Sequence, residues 1–169
     1  FYMTALNLLS DGGAADFLVT GIWAKKALAE ANRVGDGAAA WDDSGNGFKT
    51  VPGDGDYSVR DDADYLHYTS NNTLFGTQFH HLPDSNGKPR VVDASSDICG
   101  ARLDVSKHDL IYAGAQKNLG PSGVTVVILS PWAASRGKEG LPTMLDYQTH
   151  ISKGSMFNTP NTYGIFVLD

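Results

Sequence analysis

Leu110-Ile-Tyr-Ala-Gly-Ala-Gln-Lys-Asn-Leu-Gly-Pro-Ser-Gly-Val-Thr-Val-Val-Ile-Leu129 holds two apolar runs around a small-residue segment carrying one lysine, Lys117. The runs, Leu110 to Ala113 and Val124 to Leu129, are strand-length, and the second is rich in β-branched residues. Their apolar character is continuous rather than alternating. That predicts burial on both faces, the mark of a mostly parallel sheet sandwiched by helices. Gln116, Lys117 and Asn118 follow the first run, whereas no such group follows the second. The second strand is therefore expected to run the other way.

Outward from this stretch, helix-like and strand-like segments alternate. Phe17–Thr20, Tyr65–Thr69 and Arg90–Ala94 read as further buried strands. Phe1–Leu9 reads as a helix, and so does Trp23–Arg33, rich in Ala, Lys, Leu and Glu and stopped before Gly35. Gly35–Gly47, heavy in Gly, Asp and Ala, is expected to be an exposed loop, with a strand resuming at Phe48–Val51. Near the end, Asn158-Thr159-Pro160 predicts a helix start, with Thr159 capping and Pro160 in the first turn. The class is α/β, a mostly parallel sheet with flanking helices.

Composition narrows the function. The 169 residues amount to about one domain. Thirteen Lys and Arg against nineteen Asp and Glu leave a net charge of -6, which argues against nucleic acid or an anionic membrane as partner. No apolar run approaches the ~20 residues that span a bilayer. A single cysteine, Cys99, permits no internal disulfide and makes a reducing, cytoplasmic compartment the default. His80-His81 has no spaced ligand partner, and the Asp54-Gly-Asp-Tyr-Ser stretch lacks the glycine and terminal glutamate of a calcium loop. No metal site is expected.

In open α/β sheets, ligands bind beyond the carboxyl ends of the strands. Trp23 falls just past the first predicted strand, Ser70 to Thr73 past the next, Asp93 to Asp97 at the third, and Gln116 to Asn118 past the fourth. A carboxylate at the end of an apolar strand is costly unless a cation balances it. An amine flanked by small residues and kept neutral by its surroundings suits imine chemistry. From the residues alone, Asp93 and Lys117 fit either a structural ion pair or a catalytic pair.

The run Ala113-Gly-Ala-Gln-Lys-Asn-Leu-Gly-Pro-Ser-Gly-Val-Thr resembles the cofactor-lysine segment of the phosphoserine aminotransferases, pyridoxal-phosphate enzymes of the aspartate-aminotransferase fold type. Asp64-Tyr-Leu-His-Tyr-Thr-Ser-Asn-Asn-Thr, Val92-Asp-Ala-Ser-Ser-Asp-Ile, Leu141-Pro-Thr-Met-Leu-Asp-Tyr and Asn158-Thr-Pro-Asn-Thr-Tyr-Gly agree, in the family's order. The resemblance implies that Lys117 forms the covalent link to pyridoxal phosphate and later moves a proton between Cα and C4′. It implies that Asp93 pairs with the pyridinium nitrogen and that Trp23 stacks on the ring. By the same resemblance Thr73 bonds near the ring's 3-hydroxyl and Gln116 contacts the phosphate. Asn158 and Thr159 would reach the phosphate of a neighbouring subunit's cofactor, making the active site a property of a homodimer.

The implied reaction converts glutamate and 3-phosphohydroxypyruvate to phosphoserine and 2-oxoglutarate. Residues 1–169 would form the large cofactor-binding domain core, incomplete at both ends, with the small substrate domain and its carboxylate-binding arginine absent. The isolated segment is then expected to be inactive or nearly so. Two alternatives stand beside this reading. One is another class V enzyme, of the serine–glyoxylate aminotransferase or cysteine desulfurase type; the other is a truncated, non-catalytic binding module.

Overall fold

A computed structural model describes residues 1–169. Six strands form one sheet in the order β2-β1-β3-β4-β5-β6. They are β1 (Ala14–Val19), β2 (Asp36–Asp42), β3 (Ala63–Thr69), β4 (Arg90–Asp93), β5 (Leu110–Gly114) and β6 (Thr125–Leu129). All neighbours are parallel except β5 and β6, which pair antiparallel, as the polar residues around Lys117 had implied. The helices are α1 (Tyr2–Leu8), α2 (Ile22–Ala31), α3 (Pro131–Ser135), α4 (Tyr147–Ser152) and α5 (Thr162–Leu168). None is long and apolar enough to cross a membrane.

The period-two alternation of the strands divides the core. On one face Phe17, Tyr65, Val91, Leu110 and Tyr112 pack against Leu8 of α1, Ala27 and Ala31 of α2, Ala133 of α3 and Tyr147 of α4. On the other, Leu18, Leu66, Tyr68, Val92 and Ile111 pack against Val59 and Phe79. These two residues lie in irregular segments, not helices, so α1 to α4 share one face of the sheet and irregular chain covers the other. Arg60 anchors one such segment: its backbone N–H and its Nε both donate to the buried Asp16 carboxylate, at 2.7 Å.

Four expectations need correction. Gly35–Gly47 is not a loop: Asp36–Asp42 is β2, an edge strand parallel to β1, with the register shifting between Phe17 and Leu18. Backbone pairing, to which side-chain composition is a weak guide, sets that strand. Phe48–Val51 is not a strand. Asp43 accepts from the Lys49 and Thr50 backbone N–H groups at 2.7 and 2.9 Å, and Phe48 sits at φ 57°. Those bonds tie the chain into a turn and remove the N–H groups from any ladder. β6 is apolar yet not buried on both faces, because it is an edge strand with Thr125 and Ile128 exposed. Finally, Asn161 rather than Thr159 caps the last helix, accepting from the Gly164 N–H at 3.0 Å.

The topology leaves a cleft position. The chain leaves β1 for β2 on one side and returns to β3 on the other, so the loops after β1 and β3 diverge at the carboxyl edge. Such a switch point is where open α/β sheets bind ligands.

Candidate active site

Trp23 and Thr73 flank the switch point, one in the first turn of α2 after β1 and the other in the loop after β3. Hydrogen bonds hold the two loops together. Asn72 Nδ2 donates to Thr20 Oγ1 at 2.9 Å, and Thr77 Oγ1 donates to the Thr20 carbonyl at 2.8 Å. Gly21 permits the approach, since a Cβ there would lie 2.1 Å from Asn72 Oδ1. The segment after β5 then brings Lys117 in: its Nζ donates to Thr73 Oγ1 at 2.6 Å and stands 5.3 Å from the Trp23 ring centroid. A second amine, Lys26 Nζ, lies 4.7 Å from the same ring. Lys117, Thr73 and Gln116 are all exposed, so nothing within this chain encloses the Lys117 amine as the sequence reading had supposed.

Asp93 closes β4 and is only 8% exposed. Its Oδ1 accepts from the Ser95 backbone N–H at 3.0 Å and from Ser95 Oγ at 2.6 Å. Ser95 Oγ in turn accepts from the Gly114 N–H at 3.1 Å, which fixes the carboxylate to the strand that leads into the lysine segment. No basic side chain is paired with Asp93: the chain's ion pairs are elsewhere, so the structural Asp93–Lys117 pair does not form. Thr69, Asp93's register partner on β3, has a buried Oγ1 without a hydrogen-bond partner, and Trp23 Nε1 is similarly unpartnered.

This donor set has the character that pyridoxal phosphate requires: a buried carboxylate lacking a bonded cation, an accessible amine beside a hydroxyl, and an aromatic ring. Gln116 lies next to the lysine, packed beside Gly114, where a Cβ would stand 2.7 Å from its Oε1. Asn158 and Thr159 are not brought into this group. Both are exposed, and the Asn158 amide donates only to the Thr159 carbonyl, at 3.2 Å. No group of three or more His, Cys, Asp or Glu side chains converges to hold a metal.

Two residues that the sequence reading passed over lie beneath Asp93. Tyr112 is its register partner on β5, and His67, on β3, is hydrogen-bonded to the Tyr112 hydroxyl at 2.9 Å. The signal was available in the period of the strands: His67 interrupts an apolar run, and Tyr112 stands two residues before Gly114 on one face. Ser95, within the Asp93 to Asp97 group, is the residue that holds the carboxylate.

The model for the aminotransferase class-V family matches residues 2–169. The phosphoserine aminotransferase of Desulfotalea psychrophila is 48% identical over 168 residues, covering 99% of this chain and 46% of the relative. The solved phosphoserine aminotransferase from Bacillus circulans subsp. alkalophilus superposes with a TM-score of 0.94 at 42% identity, covering 99% of this chain and 46% of that one. The PLP-bound phosphoserine aminotransferase from Trichomonas vaginalis gives 0.88 at 31% identity, covering 98% of this chain and 50% of that one. The chain thus spans about half the length of the curated relatives it matches.

Proposed function

The chain belongs to the class-V aminotransferase family, and from that membership we propose that it forms the large cofactor-binding core of a phosphoserine aminotransferase. The proposed reaction moves an amino group reversibly from glutamate to 3-phosphohydroxypyruvate, giving phosphoserine and 2-oxoglutarate, in serine biosynthesis. The support is twofold: the identity to relatives of that name, and the resemblance of Ala113 to Thr125 to the cofactor-lysine segment of that family. The observation that carries the reading is the separation of charges. Asp93 is buried without a bonded cation, while the Lys117 amine stands apart on Thr73.

Pyridoxal phosphate, when bound, supplies an electron sink whose strength depends on a protonated ring nitrogen. In this proposal Asp93 would accept the hydrogen bond of that nitrogen and balance its charge, an interaction that low local dielectric would strengthen. Ser95 holds Oδ1, leaving Oδ2 for the ligand. Trp23 offers its indole face for stacking. Lys117 Nζ would be the covalent anchor of the cofactor and, once free, the base that moves a proton at the substrate Cα. Thr73 Oγ1, which accepts from that Nζ, steers the amine toward the ring. Gln116 would offer its amide to the phosphate. Asn158 and Thr159, exposed and unengaged with the other site residues, serve the phosphate of a second subunit in a homodimer of cytoplasmic location.

Substrate competition tests the assignment against other class V reactions. Loaded protein carrying this chain should change its cofactor spectrum with phosphoserine or glutamate. It should change little with alanine, cysteine or unphosphorylated serine. A preference for alanine or cysteine would move the chain to a serine–glyoxylate aminotransferase or cysteine desulfurase type of reaction.

A further inference from the structure

Ser95, Ser96, Asp97 and Ile98 are consecutive, and each one holds a different group at the carboxyl edge of the sheet. They form one helical turn after β4, in which the Asp97 and Ile98 N–H groups donate to the Ala94 carbonyl at 3.2 and 2.9 Å. Ser95 holds the Asp93 carboxylate and the Gly114 N–H at the end of β5. Ser96 is joined twice to Asn71, in the loop after β3. Its Oγ donates to the Asn71 carbonyl at 2.7 Å and accepts from Asn71 Nδ2 at 2.9 Å. Asp97 receives the same loop again, Ser70 Oγ donating to Oδ1 at 2.5 Å and Gln78 Nε2 to Oδ2 at 3.3 Å. The Ile98 carbonyl accepts from Asn118 Nδ2 at 2.6 Å.

A serine or aspartate that merely shapes a turn bonds the backbone within a few residues of itself. Ser96 and Asp97 do otherwise. Ser96 bonds a residue 25 positions away, and Asp97 bonds one 27 and one 19 positions away. Turn shaping does not account for them.

The tethered asparagines share a feature. Thr73 stands two residues beyond Asn71, and Lys117 stands immediately before Asn118. The amine and the hydroxyl that accepts from it are thus both rooted, within two residues, in the same turn. The bond from Lys117 Nζ to Thr73 Oγ1, at 2.6 Å, closes the ring of contacts. Asp93, held by the first residue of the turn, belongs to the same ring. A lysine amine rides on a flexible four-carbon stem. Fixing its root and its acceptor to one turn restricts where it can stand, and held geometry of this kind turns into reaction rate.

We propose that the turn from Ser95 to Ile98 is a hub that sets the position of the Lys117 amine relative to Asp93, with Ser96 and Asn118 as positioning residues. They act through Thr73 and Lys117. The consequence for cofactor linkage rests on the function proposed above, whereas the placement of the amine in ligand-free protein does not.

The test separates placement of the amine from the strength of ligand binding. Asn118→Leu keeps the shape of the side chain and loses the donor to Ile98. Ser96→Ala loses both bonds to Asn71, and Ser96→Thr keeps the hydroxyl. In ligand-free protein carrying this chain, reductive methylation of Lys117 is followed by peptide mass. It should quicken about three- to tenfold in Asn118→Leu and Ser96→Ala, the scale of one hydrogen bond, and approach the rate in Thr73→Ala. Lys26 should keep its parent rate, and Ser96→Thr should behave as the parent. With ligand, the rate at which pyridoxal phosphate links to Lys117 should fall in the same two variants. Their affinity for pyridoxamine phosphate, which has no aldehyde to link, should stay at the parent value. Unchanged Lys117 methylation in folded Asn118→Leu and Ser96→Ala overturns the proposal, and so does an equal change at Lys26. Pyridoxamine phosphate affinity that falls in step with the linking rate also overturns it, because the turn would then support the site as a whole. Lys117 that methylates as expected in a protein that never links pyridoxal phosphate would overturn the functional reading alone.

Discussion

Ser95 Oγ donates to Asp93 Oδ1 at 2.6 Å while accepting from the Gly114 N–H at 3.1 Å, so one hydroxyl couples the buried carboxylate to the strand that delivers Lys117. Hydrogen bonds to a charged group contribute about 1.5–3 kcal/mol. Ser95→Ala leaves the Ser95 backbone N–H on Oδ1 but frees the carboxylate to rotate and orphans the Gly114 N–H. Cofactor affinity should fall roughly tenfold, equivalent to about 1.4 kcal/mol, in an equilibrium titration. Unchanged affinity would show that Ser95 shapes the turn and nothing more.

Trp23 gives a second, optical handle. Trp23→Ala should weaken pyridoxal-phosphate binding by about 1 kcal/mol, the scale of an aromatic pair beyond its buried area. Trp23→Phe should retain most of the affinity, because it keeps a stacking face and deletes an indole N–H that has no partner. Of the three tryptophans, Trp23 alone adjoins Lys117, so the fluorescence quenched on binding should vanish in both variants.

The buried histidines set the pH dependence of stability. His67 has its folded pKa lowered to about 3 by burial, and His108 is shifted the same way. In the unfolded chain they bind protons as pH falls through about 6.5, while the folded chain does not. Their contribution is complete above that value and is lost as pH falls, by up to about 1.4 kcal/mol per pH unit for each histidine. The lowered carboxylates Asp43 and Asp64 act in the same direction but in a more acidic window. Urea denaturation at mildly acidic pH should therefore show a slope that flattens in His67→Gln. An unaltered slope would place the His67 proton uptake elsewhere.

Much of this was legible in the residues. Continuous apolar runs disclosed the sheet, and the polar groups beyond each run pointed to one edge of it and to the reversal of β6. What escaped were features set by backbone or by partners far away in sequence. β2 is an edge strand of Gly, Ala and Asp whose ladder to β1 no composition announces. Phe48 adopts a turn because Asp43 binds the two N–H groups that follow it. His67 and Tyr112 are 45 residues apart and meet only because β4 lies between their strands.

Arg60 tests the segment that covers the helix-free face. Asp16 is 1% exposed, and Arg60 Nε bonds its carboxylate at 2.7 Å while Nη1 bonds Asp36 at the same distance. Arg60→Met strands a buried charge and should cost about 3–5 kcal/mol in urea denaturation. Asp36→Asn, whose partner oxygen is solvent-facing, should cost under about 1 kcal/mol. Similar costs for the two would contradict the placement of the stabilisation at Asp16.

The central claim is that Lys117 is the amine that anchors pyridoxal phosphate. Protein carrying this chain, incubated with the cofactor, reduced with borohydride and digested, should carry the cofactor mass on the peptide containing Lys117, and Lys117→Ala should carry none. Lys26, which stands 4.7 Å from the same Trp23 ring, is the built-in rival. Label on Lys26 or spread over surface lysines, or protein that stays colourless and unlabelled, would contradict the account.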